Sequence, residues 1–190
     1  QSLAILRELK NRTNEGTTLN SLGGVYSNLS QYEKAREYHE QALIIAKETK
    51  DRFGEMSAIN SLGKIYANLS QFEKARDNYE QALTIAKELK LRLMEYDVLV
   101  NLGYVYLNLN HYDKAQDYFE QGITINKKLK LRFTESGQLL GVGTIFSDLS
   151  QFEKATNFFQ QSLEIAQELK NPRTEGILHN SLGNSYLGLK

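Results

Sequence analysis

The chain has 190 residues and no cysteine, and its 23 Lys and Arg offset its 23 Asp and Glu. Without cysteine there is no disulfide, thiol nucleophile or thiolate metal site, and the composition fits a cytoplasmic protein. A formal net charge of zero argues against nucleic acid and anionic membranes as partners, because basic charge supplies most of that affinity. No apolar run approaches the ~20 residues of a membrane span.

In chain order, residues 1–10 align with 41–50 and read as the end of a helix. Four full repeats of 40 residues follow, at 11–50, 51–90, 91–130 and 131–170, and 171–190 reads as the first helix of a further repeat. Residues 11–50 and 51–90 are identical at 24 of 40 positions without a gap. The anchor is a glycine at Gly23, Gly63, Gly103, Gly143 and Gly183. An aromatic follows at Tyr26, Tyr66, Tyr106, Phe146 and Tyr186, and alanine recurs at Ala35, Ala75, Ala115 and Ala155. A fixed period of this size marks a solenoid, in which each unit buries its apolar face against its neighbours. The whole of 1–190 therefore reads as one array without an internal linker.

Each repeat reads as two helices. In 51–90 the first runs from about Arg52 to Asn68, with Phe53, Met56, Ile59, Leu62, Ile65, Tyr66 and Leu69 on one face by three- and four-residue spacing. The second runs from about Gln71 to Leu89 and carries Phe72, Ala75, Tyr79, Ala82, Leu83, Ile85, Ala86 and Leu89. Between them, Ser70 and Glu73 have the spacing of a capping box, repeated at Ser30/Glu33, Asn110/Asp113 and Ser150/Glu153. The last repeat opens with Asn171-Pro172, a cap followed by proline at the first helical position. Neither end carries a polar capping helix. The expectation is a piece of a longer array whose bare ends stack head to tail, through Leu3, Ile5, Leu6 and Leu9 at one end and Leu178, Leu182 and Tyr186 at the other.

Asn-Ser-Leu-Gly-Lys-Ile-Tyr at 60–66, Tyr/Phe-Glu-Lys-Ala at 32–35 and 72–75, and Glu-Gln-Ala-Leu at 40–43 and 80–83 together resemble the tetratricopeptide repeat (TPR). The resemblance covers the whole chain. The period is 40 residues rather than the usual 34, and Lys47, Lys87, Lys127 and Gln167 stand where a proline usually follows the second helix. This longer form is similar to the repeats of kinesin light chains, of spindle-orientation adaptors and of large bacterial, especially cyanobacterial, proteins. The resemblance implies an all-α, right-handed superhelical solenoid of antiparallel helix pairs. In it the glycine lets helices A and B approach, alanines sit where helices cross, and the aromatics fill the gap to the next repeat.

The resemblance also implies that the A helices line a concave groove. Its positions here are Thr17, Asn20, Gly24 and Asn28; Ser57, Asn60, Lys64 and Asn68; Asp97, Asn101, Tyr104 and Asn108; Gly137, Thr144 and Asp148; and Asn180 and Asn184. Asparagine offers donors and an acceptor to a peptide main chain. Asn20, Asn60, Asn101 and Asn180 are the candidates for that role, with Lys64, Asp97 and Tyr104 adding selectivity. Asn28, Asn68 and Asn108 read also as simple helix ends. The groove lacks a regular Lys and Arg clamp for a C-terminal carboxylate. Gly137, Gly141 and Gly143 in one helix suggest a soft spot.

No catalytic constellation is legible. His39, His111 and His179 occupy three different repeat positions, and His39 fills the slot of Tyr79, Phe119 and Phe159, a packing position. No phosphate loop or His pair occurs, so neither enzyme activity nor a metal or cofactor is expected. The resulting reading is a protein-interaction scaffold that grips an extended peptide or partner helix, with a regulatory or sensor arm of a larger enzyme or switch protein as the alternative.

Overall fold

The computed structural model describes residues 11–129 and 132–189, except for the side chains of 127 and 132–134. The expectations for Leu3, Ile5, Leu6 and Leu9 fall outside the described residues. Among those described there are nine helices and no strand. They are α1 (Arg12–Asn28), α2 (Tyr32–Glu48), α3 (Arg52–Asn68), α4 (Phe72–Glu88), α5 (Arg92–Asn108), α6 (Tyr112–Leu129), α7 (Arg132–Asp148), α8 (Phe152–Glu168) and α9 (Pro172–Gly188). Odd-numbered helices open a repeat and even-numbered ones close it. The chain groups into two compact units, residues 1–98 and 99–190, with the division inside α5.

The helix ends explain the sharp turns. At the end of α1, Gln31 N–H donates to Tyr26 C=O and Ser30 N–H to Ser27 C=O, each at 2.9 Å. This is the Schellman closure, and it requires a left-handed residue. Ser30, Lys50, Ser70, Lys90, Asn110, Ser150 and Lys170 supply it, with φ between 51° and 60°. The expected capping boxes are therefore not formed. Ser30, Ser70, Asn110 and Ser150 end the preceding helix, and the N-caps one residue on, Gln31, Gln71 and Gln151, make no side-chain cap bond. True side-chain caps lie between repeats instead. Asp51 accepts from Gly54 N–H at 2.9 Å, Asn11 from Asn14 and Asn171 from Thr174, each at 3.2 Å. Pro172 takes the first turn of α9 as expected.

In the unit 1–98, α1 packs on α2, α2 on α3 and α3 on α4. Leu19, Ala42, Ile45 and Ala58 form a cluster onto which Tyr38 and Leu43 pack. The repeat glycines work as anticipated. A Cβ at Gly63 would lie 2.8 Å from the Tyr79 ring, and one at Gly23 2.6 Å from the His39 ring. His39 is 2% exposed, a packed histidine. Ala35 and Ala75 are fully buried.

In the unit 99–190 the same slots hold Gly103 under Phe119 and Gly143 under Phe159, with a Cβ at 2.7 and 2.5 Å from ring carbons. Gly141 is a second close approach, 2.9 Å from the Phe119 Cζ, so of the three α7 glycines only Gly137 has open space beside it. Leu178 and Leu182, expected to be half bare, are buried, at 0% and 7% exposure, because they face inward in a unit where α9 packs on α8; Tyr186 is 48% exposed.

The recurring aromatics also differ from expectation. Rather than bridging to the next repeat, they stack within their own. Tyr26 lies on Tyr38 with centroids 5.2 Å apart, Tyr106 on Tyr118 at 5.3 Å and Phe146 on Phe158 at 5.4 Å. A lysine covers each ring, as Lys34 does Tyr26 at 5.4 Å. In the second repeat Asn78 replaces the stacking partner of Tyr66.

Candidate functional site

One face of each A helix carries residues four, three and four apart, beginning at the second helical position. In α1 these are Thr13, Thr17, Asn20 and Gly24, and in α3 they are Phe53, Ser57, Asn60 and Lys64. Between α1 and α3 lies a cleft of about 70 Å³. Ala42, Ile45 and Ala46 of α2 form its apolar floor, Thr13, Thr17 and Asn20 one wall, and Phe53 and Ser57 the other.

Asn20 spans this cleft. Its Nδ2 donates to Ser57 Oγ at 3.0 Å, and its Oδ1 faces His39 Nδ1 at 2.7 Å. Burial lowers the His39 pKa to about 4, so the ring is neutral at pH 7. Because Asn20 Oδ1 can only accept, the His39 proton sits on Nδ1. Asn20 keeps one N–H and one lone pair beyond these bonds. Asn60, one repeat on, has no such donor, because Tyr79 presents ring carbons where His39 presents N–H. Its Oδ1 is buried without a hydrogen-bond partner among the described residues.

Lys64 is exposed on α3. Leu93 and Asp97 continue the same face at the start of α5, with Leu93 49% exposed. The Asp97 carboxyl pKa is raised by loss of hydration. Phe53, placed by its spacing in the packing stripe, is 53% exposed and belongs to the cleft wall. Phe53, Leu93 and Thr13 also lie exposed on this face. That slot holds Thr13, Phe53, Leu93, Phe133 and Arg173, whereas the glycine slot holds glycine in every repeat.

In the unit 99–190 the wall changes. Asn101 is half-buried and sits one residue later than Asn20, Asn60 and Asn180, in the slot of Ser21, Ser61 and Ser181, so it points about 100° around the helix from them. The Tyr104 hydroxyl donates to Gly137 C=O at 3.2 Å, and its ring meets Phe119 edge-on at 5.0 Å. Asn180 is exposed on α9. The predicted residues thus fall into two groups, Asn20, Asn60, Lys64 and Asp97 in one unit and Asn101, Tyr104 and Asn180 in the other. Asn28, Asn68 and Asn108 each end an A helix.

Among the described residues no group of His, Cys, Asp or Glu could hold a metal ion, and no helix is long and apolar enough to cross a membrane. What remains is an array whose interior is packing and whose A-helix face is varied. The tetratricopeptide repeat family matches residues 14–88 and 54–128. The chain belongs to that family, whose repeats are generally non-catalytic scaffolds.

Solved structures share the fold. BtubC (BKLC) from P. vanneervenii superposes with a TM-score of 0.86 at 19% identity, over 99% of this chain and 80% of that one. A STAND signal-transduction ATPase with a tetratricopeptide repeat sensor, from Pyrococcus horikoshii, has a TM-score of 0.86 at 19% identity, over 93% of this chain and 28% of that one. A Rap protein complexed with competence and sporulation factor has a TM-score of 0.80 at 17% identity, over 95% of this chain and 54% of that one. At these identities the likeness concerns the fold, an all-α helical-repeat solenoid. No curated protein sequence matches the chain.

Proposed function

We propose that this chain is a protein-interaction module that holds an extended segment of a partner protein against the A-helix face of the unit 1–98, with Asn20 and Asn60 addressing the partner's main chain and Lys64 and Asp97 its side chains. The observation that carries this reading is the α1/α3 cleft. It combines an apolar floor and the bare Phe53 ring with hydroxyl and amide groups that keep unused donors and acceptors. At about 70 Å³ the cleft has room for a side chain of the segment rather than for a whole ligand, and its few polar groups converge on a mostly apolar concavity. A ligand segment would also leave the packing slots undisturbed.

The test is panning of a random dodecapeptide phage library on the wild-type chain and on a Thr17→Arg/Asn60→Ala variant whose circular dichroism and melting are checked. Clones that bind wild type and lose the variant support the reading. Clones that bind both equally, or no enrichment, contradict it. A sensor arm of a larger switch protein is the second reading, prompted by the fold shared with the archaeal repeat sensor. It uses the same face.

A further inference from the structure

We infer that the partner segment presents an arginine or lysine to this groove, with its charge against Asp97 and its alkyl stem over Leu93 and Phe53; the inference rests on the groove reading above. Leu93 and Asp97 are four residues apart on α5, and so lie one above the other on one face. Phe53 occupies the Leu93 slot one repeat earlier. Phe53 and Leu93 are 53% and 49% exposed, while the large side chains of the packing slots, such as Tyr79 and Met56, are at 2%. The two bare side chains favour an apolar surface on whatever covers them.

Asp97 decides the chemistry of that surface. Among the described residues no base makes a salt bridge to it, and Arg92, five residues before it, is engaged with Glu95 at 2.8 Å. Lys64 lies seven residues beyond Ser57, which is the Asp97 slot of α3, about 10 Å along the helix axis. A neutral or acidic partner would bury the Asp97 carboxylate without compensation, an unfavourable arrangement. A basic side chain meets both demands. Its stem covers Leu93 and Phe53, and its head pairs with the carboxylate. Asp51, whose carboxylate lies at the cleft wall, adds negative potential on the same side.

The experiment pans the dodecapeptide library on wild type and on Asp97→Asn, then measures the selected peptides by fluorescence anisotropy at two salt concentrations. The expected result is enrichment of Arg or Lys in the wild-type clones and its loss with Asp97→Asn. The best basic clone should weaken about tenfold with Asp97→Asn, the weight of one charge-assisted contact, and tighten as salt is lowered. Asp97 is exposed, so the variant should melt as wild type does, and circular dichroism checks this. Groove-dependent clones that are neutral or acidic, and indifferent to Asp97→Asn, overturn this inference while leaving the groove reading intact. The absence of clones sensitive to Thr17→Arg/Asn60→Ala overturns both.

Discussion

In the unit 1–98 the slot three residues before the repeat glycine is Asn20 and Asn60; in the unit 99–190 it is Val100 and Leu140, returning to Asn180 in α9. In the first unit that slot lines the α1/α3 cleft, whereas in the second the Tyr104 hydroxyl donates to Gly137 C=O. The glycine under the ring, the buried alanine and the Schellman turn are nevertheless the same in both. The contrast separates two kinds of position. The repeat glycine, the aromatic ring over it and the alanine at 35, 75, 115 and 155 hold their character from repeat to repeat, whereas slots on the A-helix face vary.

The ring slot offers the widest test of the contrast. His39 stands in the first unit where Phe119 and Phe159 stand in the second. Its folded pKa, about 4, is below the ordinary 6.5, so the unfolded chain binds the proton more tightly. The contribution is complete above pH 6.5 and is lost as pH falls toward 4, by up to about 3 kcal/mol. Equilibrium urea denaturation of wild type and His39→Phe should diverge in pH dependence over that window, and the loss should register in amides of α1 and α2 rather than α8. Equal pH dependence in both proteins would contradict the buried, neutral assignment.

The glycine slot comes next. Gly63→Ala drives a methyl to 2.8 Å from the Tyr79 ring, whereas Gly183 has nothing within 4 Å. The first should cost about 2 kcal/mol through overpacking, and the second should gain up to about 1 kcal/mol of helix propensity. A matched pair of urea curves reads both, and opposite signs are the expected outcome.

A smaller effect probes a polar insertion specific to the second unit. Gln138 is fully buried, its Oε1 accepts from Asn126 at 2.7 Å, and its Nε2 has no partner among the described residues. That Nε2 lies 2.0 Å from where a Cβ on Gly122 would be. Gly122→Ala should therefore lose about 1 kcal/mol rather than gain it, and Gln138→Ala in the same chain should restore the usual sign. A double-mutant cycle measures the coupling. The smallest change is Ser70→Gly at φ 57°, expected to stabilise by about 0.5–1 kcal/mol because glycine tolerates the left-handed region.

Much of the fold was legible because packing slots repeat. The Gly63–Tyr79 approach, the buried Ala75 and the helix limits all follow from the 40-residue register. The helix cap at Ser70 is not legible from local sequence. Ser-x-x-Glu fits a capping box, but here the serine stands one residue before the N-cap, and only its positive φ distinguishes a helix end from a helix start. The candidate site was half legible. Face assignments placed Asn20 and Asn60, while Phe53 looked like core because an apolar residue at helical spacing reads alike whether it faces in or out. The bond from Asn20 to Ser57, 37 residues away, and the unfilled acceptor on Asn60 depend on how repeats pack, which no local pattern encodes.

The most direct test of the account is a titration of the isotope-labelled chain with a selected dodecapeptide, followed by amide chemical-shift mapping. The account predicts shifts concentrated on the A-helix face, at Thr17, Ser57, Asn60, Lys64 and Asp97. Shifts confined to the outer faces of α2 and α4, around Arg36, Asp77 and Glu80, would contradict it.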